Sequence, residues 1–312
     1  MAMTQPFSSR NLPRRRKIAR PGDVVFHTVN TALMLLMMII TLYPVLNTVA
    51  ISFNDGTDAL RGGITLWPRV FSLMSYQGVL ADETVYNAFY VSVARTVLTT
   101  VLNIVLTSML SYTLSRKEYV LRKFITTVFV MTMYVNAGLI PNYLLISKTL
   151  NLSKSFWVYI IPTMLYCFNM IVIRTYIAGL PEALVESARI DGAGDFFLFW
   201  RIIFPLCLPV LATVALFVAV GAWNSWFDTH LYNASKPKLH TLQYLLKMKL
   251  ATTQASSNAA MSSTAALADR QATTPITIRS AITVISAVPI LVVYPFLQKY
   301  FVTGMSIGSV KE

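Results

Sequence analysis

GLPEALVESARIDGAGDFFLFWRIIFPLCLP, residues 179–209, is a polar interruption in a chain otherwise dominated by apolar runs. Glu186-Ser187-Ala188, two further residues and Asp191-Gly192-Ala193 predict a small-faced helix, a tight turn and a second helix. Asp-Gly is a turn signal because Gly tolerates positive φ and Asp bonds nearby backbone or caps the next helix. Ala183, Ser187 and Ala188 leave little bulk on one side, so another surface can approach the backbone closely. This is the shape of a docking element; an ordinary helical hairpin between two spans is the plainer alternative.

The flanks set the fold class. Of 312 residues, 55% are hydrophobic and 12% charged, against about 25% charged in an average soluble domain. A helix crosses a bilayer with about 20 apolar residues, and six such runs can be drawn: 26–53, 86–114, 124–146, 156–177, 205–226 and 275–297. A soluble core of this size would need amphipathic helices and far more charge. The expectation is an all-α, polytopic membrane protein with six transmembrane helices, in which 179–209 joins the fourth to the fifth.

Basic residues orient it. Arg10, Arg14, Arg15, Arg16, Lys17 and Arg20 precede the first run, and Arg116, Lys117, Arg122 and Lys123 follow the second. Arg174, Arg189 and Arg201 flank or occupy the interruption, and Lys299 and Lys311 lie near the end. The positive-inside rule places all of these, and both termini, in the cytoplasm. Segment 228–274 then lies outside; its lysines object only weakly, because long loops translocate largely regardless of charge. The net charge of +13 reports topology and contact with anionic membrane lipid rather than nucleic acid. The basic start resembles a signal peptide in outline, but the run after it is about 25 residues, too long for an h-region. No small-residue cleavage site follows at 47–55. A retained span behind a disordered basic tail is expected.

Chemistry is missing where an enzyme or a self-powered carrier needs it. No Gly-x-x-x-x-Gly-Lys-Ser/Thr loop offers an ATP cradle, and neither Gly-x-Ser-x-Gly nor His-Glu-x-x-His occurs. His27, His230 and His240 are scattered, without a second ligand at helical spacing. The carboxylates sit at termini, in loops or in the 179–209 stretch, so the buried relay of an ion-driven carrier is lacking. The energy source is then another polypeptide, and this chain is expected to hold no catalytic residue, cofactor or metal. Cys167 and Cys207 fall in or beside apolar runs and read as packed small hydrophobes rather than a disulfide.

Glu186-Ser187-Ala188-x-x-Asp191-Gly192-Ala193, preceded by Leu180-Pro181 and followed by Phe199, Ile202-Ile203, Pro205 and Pro209, resembles the EAA loop of ABC importer permeases. Ser187 stands where the general motif has Ala, and is small enough to keep close packing. Ala222-Trp223-Asn224-Ser225-Trp226-Phe227-Asp228 resembles the close of span five in permeases for oligosaccharides of complex polysaccharides. Gln298-Lys299-Tyr300-Phe301-Val302 to Gly304, with Gly308, resembles the C-terminal signature of that group. Over residues 20–312 the chain is similar to type I ABC importer permeases of the carbohydrate-uptake group, in particular the MalG-like second subunit.

The resemblance implies four partners besides lipid: a non-identical second permease, two copies of a cytoplasmic ATP-binding cassette ATPase carrying ATP and Mg, and an extracellular solute-binding protein. It implies that Glu186 offers a carboxylate to basic residues of the ATPase and that Ala183, Ser187 and Ala188 pack in its cleft, with Ala193 in the same coupling set. Gly192 would form the bend, and Asp191 would cap the second helix or make a contact. Closure of the ATPase dimer would pull these helices and open the cavity outward. Gly304 and Gly308, with Ser306 and Ser309, would run extended between the ATPase subunits; a frayed terminus is the alternative.

Sugars are gripped by aromatic faces and by amide and hydroxyl hydrogen bonds, which selects Tyr134, Asn136, Tyr166, Asn169, Trp223, Asn224 and Trp226 as path candidates. Plainer roles compete: Trp226 as an interfacial anchor, Asn136 and Asn169 as helix–helix ties. Arg95 stands alone in a span, nine residues after Tyr86 and so roughly 14 Å deeper in a helix. It faces the cavity, which would suit uronic acids, or pairs with the partner permease. Pairing is preferred, because an isolated charge there is costly. Arg279, close to the outer end of span six, snorkels. Residues 241–250 carry apolar and basic residues at helical spacing and suit the membrane surface or the partner, while 251–274, rich in Ala, Ser and Thr, is a floppy connector or a contact for the docking sugar-binding protein, and composition favours the connector.

The expected organisation is a tail at 1–20, a first span and external loop at 21–85, a permease core at 86–298 and a cytoplasmic tail at 299–312, in the bacterial cytoplasmic membrane. The expected function is import of a polysaccharide-derived oligosaccharide. A same-family permease for a non-sugar solute and a non-transporting membrane scaffold stay open.

Overall fold

The computed structural model describes residues 21–135, 137–260 and 274–307. Among the described residues the architecture is all-α, with one isolated antiparallel bridge between Asn54 and Phe71. Residues up to Asn47 form one compact unit and Thr48 onward a second. The first holds most of helix α1 (Pro21–Ser52), which is apolar and exposed around its circumference over 24–46, as a lipid-facing helix is.

The second unit carries α2 (Glu83–Ser115), α3 (Arg122–Tyr134), α4 (Leu139–Leu144) and α5 (Cys167–Ala178). It continues with α6 (Ala183–Ile190), α7 (Asp195–Leu198), α8 (Leu208–Asn224), α9 (Leu242–Ala260) and α10 (Pro275–Ile307). Three helices are long and apolar enough to cross a membrane unbroken: α1, α2 and the first two-thirds of α10. Among the described residues three bent helix pairs also pass as apolar enough, and counting each pair as one span gives six.

The bends correct the reading of six continuous runs, and local chemistry explains them. The third run is interrupted between Tyr134 and Leu139, where Gly138 takes φ +85° and Pro141 withholds an N–H from the next turn. The fourth bends by 47° between two 3₁₀ turns (Phe156–Tyr159 and Ile161–Thr163, the latter with Pro162) and α5. The fifth bends by 78° after a π-helical turn at Phe199–Ile203, with Pro205 and Pro209 each removing a donor. The run 205–226 therefore loses its first residues to the bend, and α8 starts at Leu208.

Irregular backbone at membrane depth survives only where something else bonds its free carbonyls. Here α2 does so. Arg95, Thr99, Asn103, Thr107 and Ser111, four residues apart, form a buried polar stripe. Asn103 Nδ2 donates to the carbonyls of Thr163 and Met164 at 3.0 and 3.1 Å, where the fourth span breaks. Asn169 Nδ2 donates to Asn103 Oδ1 at 3.2 Å, and Ser111 Oγ to the Met170 carbonyl at 3.0 Å.

Apolar packing completes the bundle. Ile104 and Tyr112 of α2, Ile173 and Ile177 of α5, and Val210, Leu211, Val214 and Val218 of α8 share one core with Val185, Ala188, Leu198 and Phe199. Cys207 is buried in it, and neither Cys167 nor Cys207 is in a disulfide. A second core joins Val85 and Ala88 of α2 to Trp223, Leu242, Leu245, Ala281 and Ile282. Residues 241–250 are thus helical as expected, and α9 packs on this chain's own α2 and α10 through Leu242 and Leu245. The helix runs to Ala260, so the first part of 251–274 is helix and not connector; 261–273 lie outside the described residues.

Helix α10 extends to Ile307, which places Gly304 and Ser306 in a helix rather than an extended tail. One helical Gly costs about 1 kcal/mol, too little to stop a helix that continues from a full span. Gly308 and Ser309, like the tail at 1–20, lie outside the described residues.

Candidate functional site

Helix α6 ends in a Schellman turn. Asp191 is its C-cap, Gly192 follows with φ +82°, Gly192 N donates to Arg189 O at 3.0 Å and Ala193 N to Ala188 O at 3.0 Å. These are the two bonds that satisfy the last carbonyls of a helix closed by a left-handed Gly. Gly192 is therefore the bend. Asp191 does not cap the next helix: the N-cap of α7 is Gly194, with no side-chain cap, and the acid in its first turn is Asp195.

Charge pairs tie the hairpin to the turn after α2. Lys117 Nζ lies 2.9 Å from Glu182, and Arg189 Nη1 donates to Glu118 at 3.0 Å while its Nη2 reaches Asp195 at 3.3 Å. The hydrogen bond from Arg189 holds the Glu118 carboxyl below its ordinary range. Such exposed pairs fix register more than they add stability. Glu186 is exposed and makes no ion pair among the described residues.

The small residues divide between two faces. Ala183 and Ser187 point outward, whereas Ala188 packs inward with Val185 in the core and only edges a surface hollow. That correction follows from helical spacing, since Ala188 lies three residues after the buried Val185. The hollow, of about 560 Å³, is formed with Asp191, Gly192, Ala193, Gly194, Phe197 and Ile202. Around it Ile190 is 87% exposed and Phe196 70%. The exposed apolar side chains here sit on an otherwise polar hairpin.

A second constellation lies inside the bundle. Arg95, Thr99, Tyr159, Thr163, Tyr166, Asn169, Ser225 and Asp228, with Phe217, Val218, Gly221 and Ala222, line a cavity of about 340 Å³. Arg95 pairs with Asp228, donates from Nη1 to the Ser225 carbonyl at 3.1 Å, and lies over the Tyr159 ring at 4.7 Å. The lone cation thus finds its partner within this chain, not on another permease. Ser225 Oγ donates to the same carboxylate at 2.9 Å, and Tyr159 is anchored by its hydroxyl on the Leu239 carbonyl at 2.7 Å. Among the described residues no three His, Cys, Asp or Glu side chains gather as a metal site.

Of the path candidates, Tyr166, Asn169 and Arg95 reach this cavity. Trp223 does not: it is core, with Nε1 donating to the Ser286 carbonyl at 2.9 Å and its ring edge-on to Phe89. Asn224 is exposed and accepts from Gln243 at 3.4 Å, and Trp226 carries Lys247 Nζ over its ring at 5.1 Å. Tyr134 is exposed at the end of α3, and Asn136 lies outside the described residues. Sequence reasoning missed Thr99, Tyr159 and Thr163. The signal for Thr99 was present, because Arg95, Thr99, Asn103, Thr107 and Ser111 repeat every fourth residue in an apolar helix. Tyr159 and Thr163 sit on 3₁₀ turns that no helical period registers.

Comparison with known proteins gives this geometry a family. Residues 104–307 match the model for "Binding-protein-dependent transport system inner membrane component". The Bacillus subtilis (strain 168) "Polygalacturonan/rhamnogalacturonan transport system permease protein YtcP" is 32% identical over 89% of this chain and 95% of its own. "Protein LplC" of the same organism is 34% identical over 87% and 90%. A chain in the crystal structure of a bacterial ABC transporter involved in the import of the acidic polysaccharide alginate superposes with a TM-score of 0.80 at 27% identity, over 95% of this chain and 100% of that one. Permeases of this kind are not enzymes themselves. With the match covering its bent spans and hairpin, the chain belongs to the binding-protein-dependent transport system inner membrane component family, the multi-pass permease subunits of ABC importers.

Proposed function

We propose that this protein is the permease subunit that carries an acidic, polysaccharide-derived oligosaccharide across the bacterial cytoplasmic membrane, driven by ATP hydrolysed elsewhere. The cargo class is supported by two relatives whose names specify polygalacturonan with rhamnogalacturonan and alginate. Coupling is assigned to 179–209 on one observation: α6 and its Gly192 turn present exposed apolar and small side chains, Ile190 foremost, that nothing among the described residues covers. Ala183, Glu186, Ser187, Asp191, Gly192 and Ala193 form the surface that meets the ATPase, with Ala188 bracing it from within.

The assembly has two non-identical permeases, an ATPase dimer that binds ATP and Mg, and an extracellular solute-binding protein. Both termini and the hairpin face the cytoplasm, where Arg116, Lys117, Arg122 and Lys123 gather at the same end of α2 as α6. The substrate path runs by Tyr166, Asn169, Thr99 and Thr163.

The test is reconstitution with the partner subunits in proteoliposomes. Uptake of oligogalacturonate must require ATP and the binding protein, and Ser187→Arg must leave assembly intact while separating hydrolysis from uptake. Uptake without ATP, or coupling unaffected by Ser187→Arg, overturns the reading.

A further inference from the structure

Arg95 and Asp228 are the two charged residues in the cavity wall, and they are held very differently. The Arg95 side chain is 2% exposed, fixed by the Tyr159 ring beneath it and the Ser225 carbonyl beside it. The Asp228 side chain is 33% exposed, on the segment that follows α8. The cation is built in; the anion is the accessible member.

The guanidinium is also underused. Its Nη1 serves a carbonyl and its Nη2 serves one oxygen of Asp228, but its Nε is buried without a hydrogen-bond partner among the described residues. A planar guanidinium binds a carboxylate best in two parallel bonds, and the Nε–Nη2 edge offers that arrangement. Asp228 does not take it. An unmet donor on a buried cation costs free energy, and in Arg95 it lies on the edge next to the cavity's one carboxylate.

We propose that the Arg95–Asp228 pair is a carboxylate-exchange site. A sugar carboxylate displaces Asp228 and binds side-on across Nε and Nη2 of Arg95, with the half-exposed Tyr166 flanking the ring. The exchange conserves charge: one anion leaves Arg95 as another arrives, and Asp228 turns to its exposed side. In the empty cavity Asp228 neutralises Arg95, so no bare charge is left at this depth, roughly 18 Å along α2 from its start at Glu83. A neutral sugar cannot displace the carboxylate, so the site selects acids. This rests on the acidic-oligosaccharide reading above and adds the atoms that would enforce it.

The test uses the complete permease–ATPase assembly in nanodiscs, without the binding protein. Equilibrium binding of trigalacturonate is compared with that of its fully methyl-esterified form. Wild type should bind the acid at least roughly tenfold more tightly than the ester. Asp228→Asn, which removes the internal competitor, should tighten the acid further and leave the ester unchanged. The neutral double variant Arg95→Gln/Asp228→Asn leaves no unpaired buried charge, so it remains a fair test if the single variant fails to assemble; it should erase the preference.

Wild type binding the acid no better than the ester, or not at all, overturns the site, as does a preference that survives the double variant. Those results leave the cargo reading standing if ATP-driven uptake of oligogalacturonate persists. Loss of that uptake in the wild-type importer would instead remove the cargo reading.

Discussion

Asn103 on α2 donates to the Thr163 carbonyl at 3.0 Å, across the break in the fourth span. The same amide reaches the Met164 carbonyl, and Asn103 Oδ1 accepts from Asn169. One side chain thereby serves the carbonyls that 3₁₀ turns leave free in an apolar medium, which is why an Asn is tolerated at full burial.

Replacing Asn103 by Leu should strand those carbonyls and lower stability by about 1–2 kcal/mol. Thr107, one turn further along the same stripe, is buried with a hydroxyl that has no partner among the described residues. Thr107→Val should be neutral or stabilising, because no bond is lost and a desolvated hydroxyl is removed. Thermal melts of the detergent-solubilised protein compare the two; equal losses would mean that the stripe acts by packing alone.

Gly192 offers a sharper contrast. A Cβ there meets no atom within 4 Å, so a substitution is opposed by its φ of +82° and not by space within the chain. Ala in the left-handed region costs about 1 kcal/mol or somewhat more, whereas Asn visits that region readily. Gly192→Asn should therefore retain more uptake-coupled ATPase activity than Gly192→Ala, despite its larger side chain. The reverse order would mean that a partner surface packs against the Gly192 face closely enough to exclude side-chain bulk.

These cases also divide what was legible in the sequence from what was not. Glu186-Ser187-Ala188 and Asp191-Gly192-Ala193 announced a helix, turn and helix, because a Gly closing a helix leaves a local signature. Six apolar runs announced six crossings. The bends were only half-visible: Pro141, Pro162, Pro205 and Pro209 were there to be read, but whether a proline kinks or breaks a span depends on what bonds the freed carbonyls. Asn103 does that from another helix. The Arg95–Asp228 pair likewise joins residues far apart in the chain, so no local pattern could name the partner.

Glu118 and Arg189 give the hairpin a dependence on pH. The hydrogen bond from Arg189 keeps the Glu118 carboxyl below its ordinary 4.5. A depressed carboxyl stabilises the folded form fully above that ordinary value and ceases to do so as pH falls through the folded value. The tie between α6 and the turn after α2 should thus be intact at neutral pH, begin to weaken only below about 4.5 and be lost as pH falls through the lower folded value. Amide exchange over 183–190, corrected for its intrinsic pH dependence, should accelerate across that window. Glu118→Gln should remove the effect, and added salt should blunt it because both groups are exposed.

Trp223 and Tyr166 separate core from path. Trp223 sits in the α8–α10 core and donates to the Ser286 carbonyl at 2.9 Å. Trp223→Phe removes that donor and part of the ring, and should cost about 1–3 kcal/mol of stability. The oligosaccharide concentration giving half-maximal uptake should stay unchanged, since no cargo contact is lost. Tyr166 is 46% exposed, and its ring lines the cavity from the extended residue before α5. Tyr166→Ala should lower the melting temperature only modestly, because nearly half of the residue is exposed. An aromatic contact contributes about 0.5–1.5 kcal/mol, so its loss should raise the half-maximal concentration roughly two- to tenfold. The opposite pattern, uptake lost with Trp223 and stability lost with Tyr166, would return Trp223 to the path and move the cargo out of the Arg95 cavity.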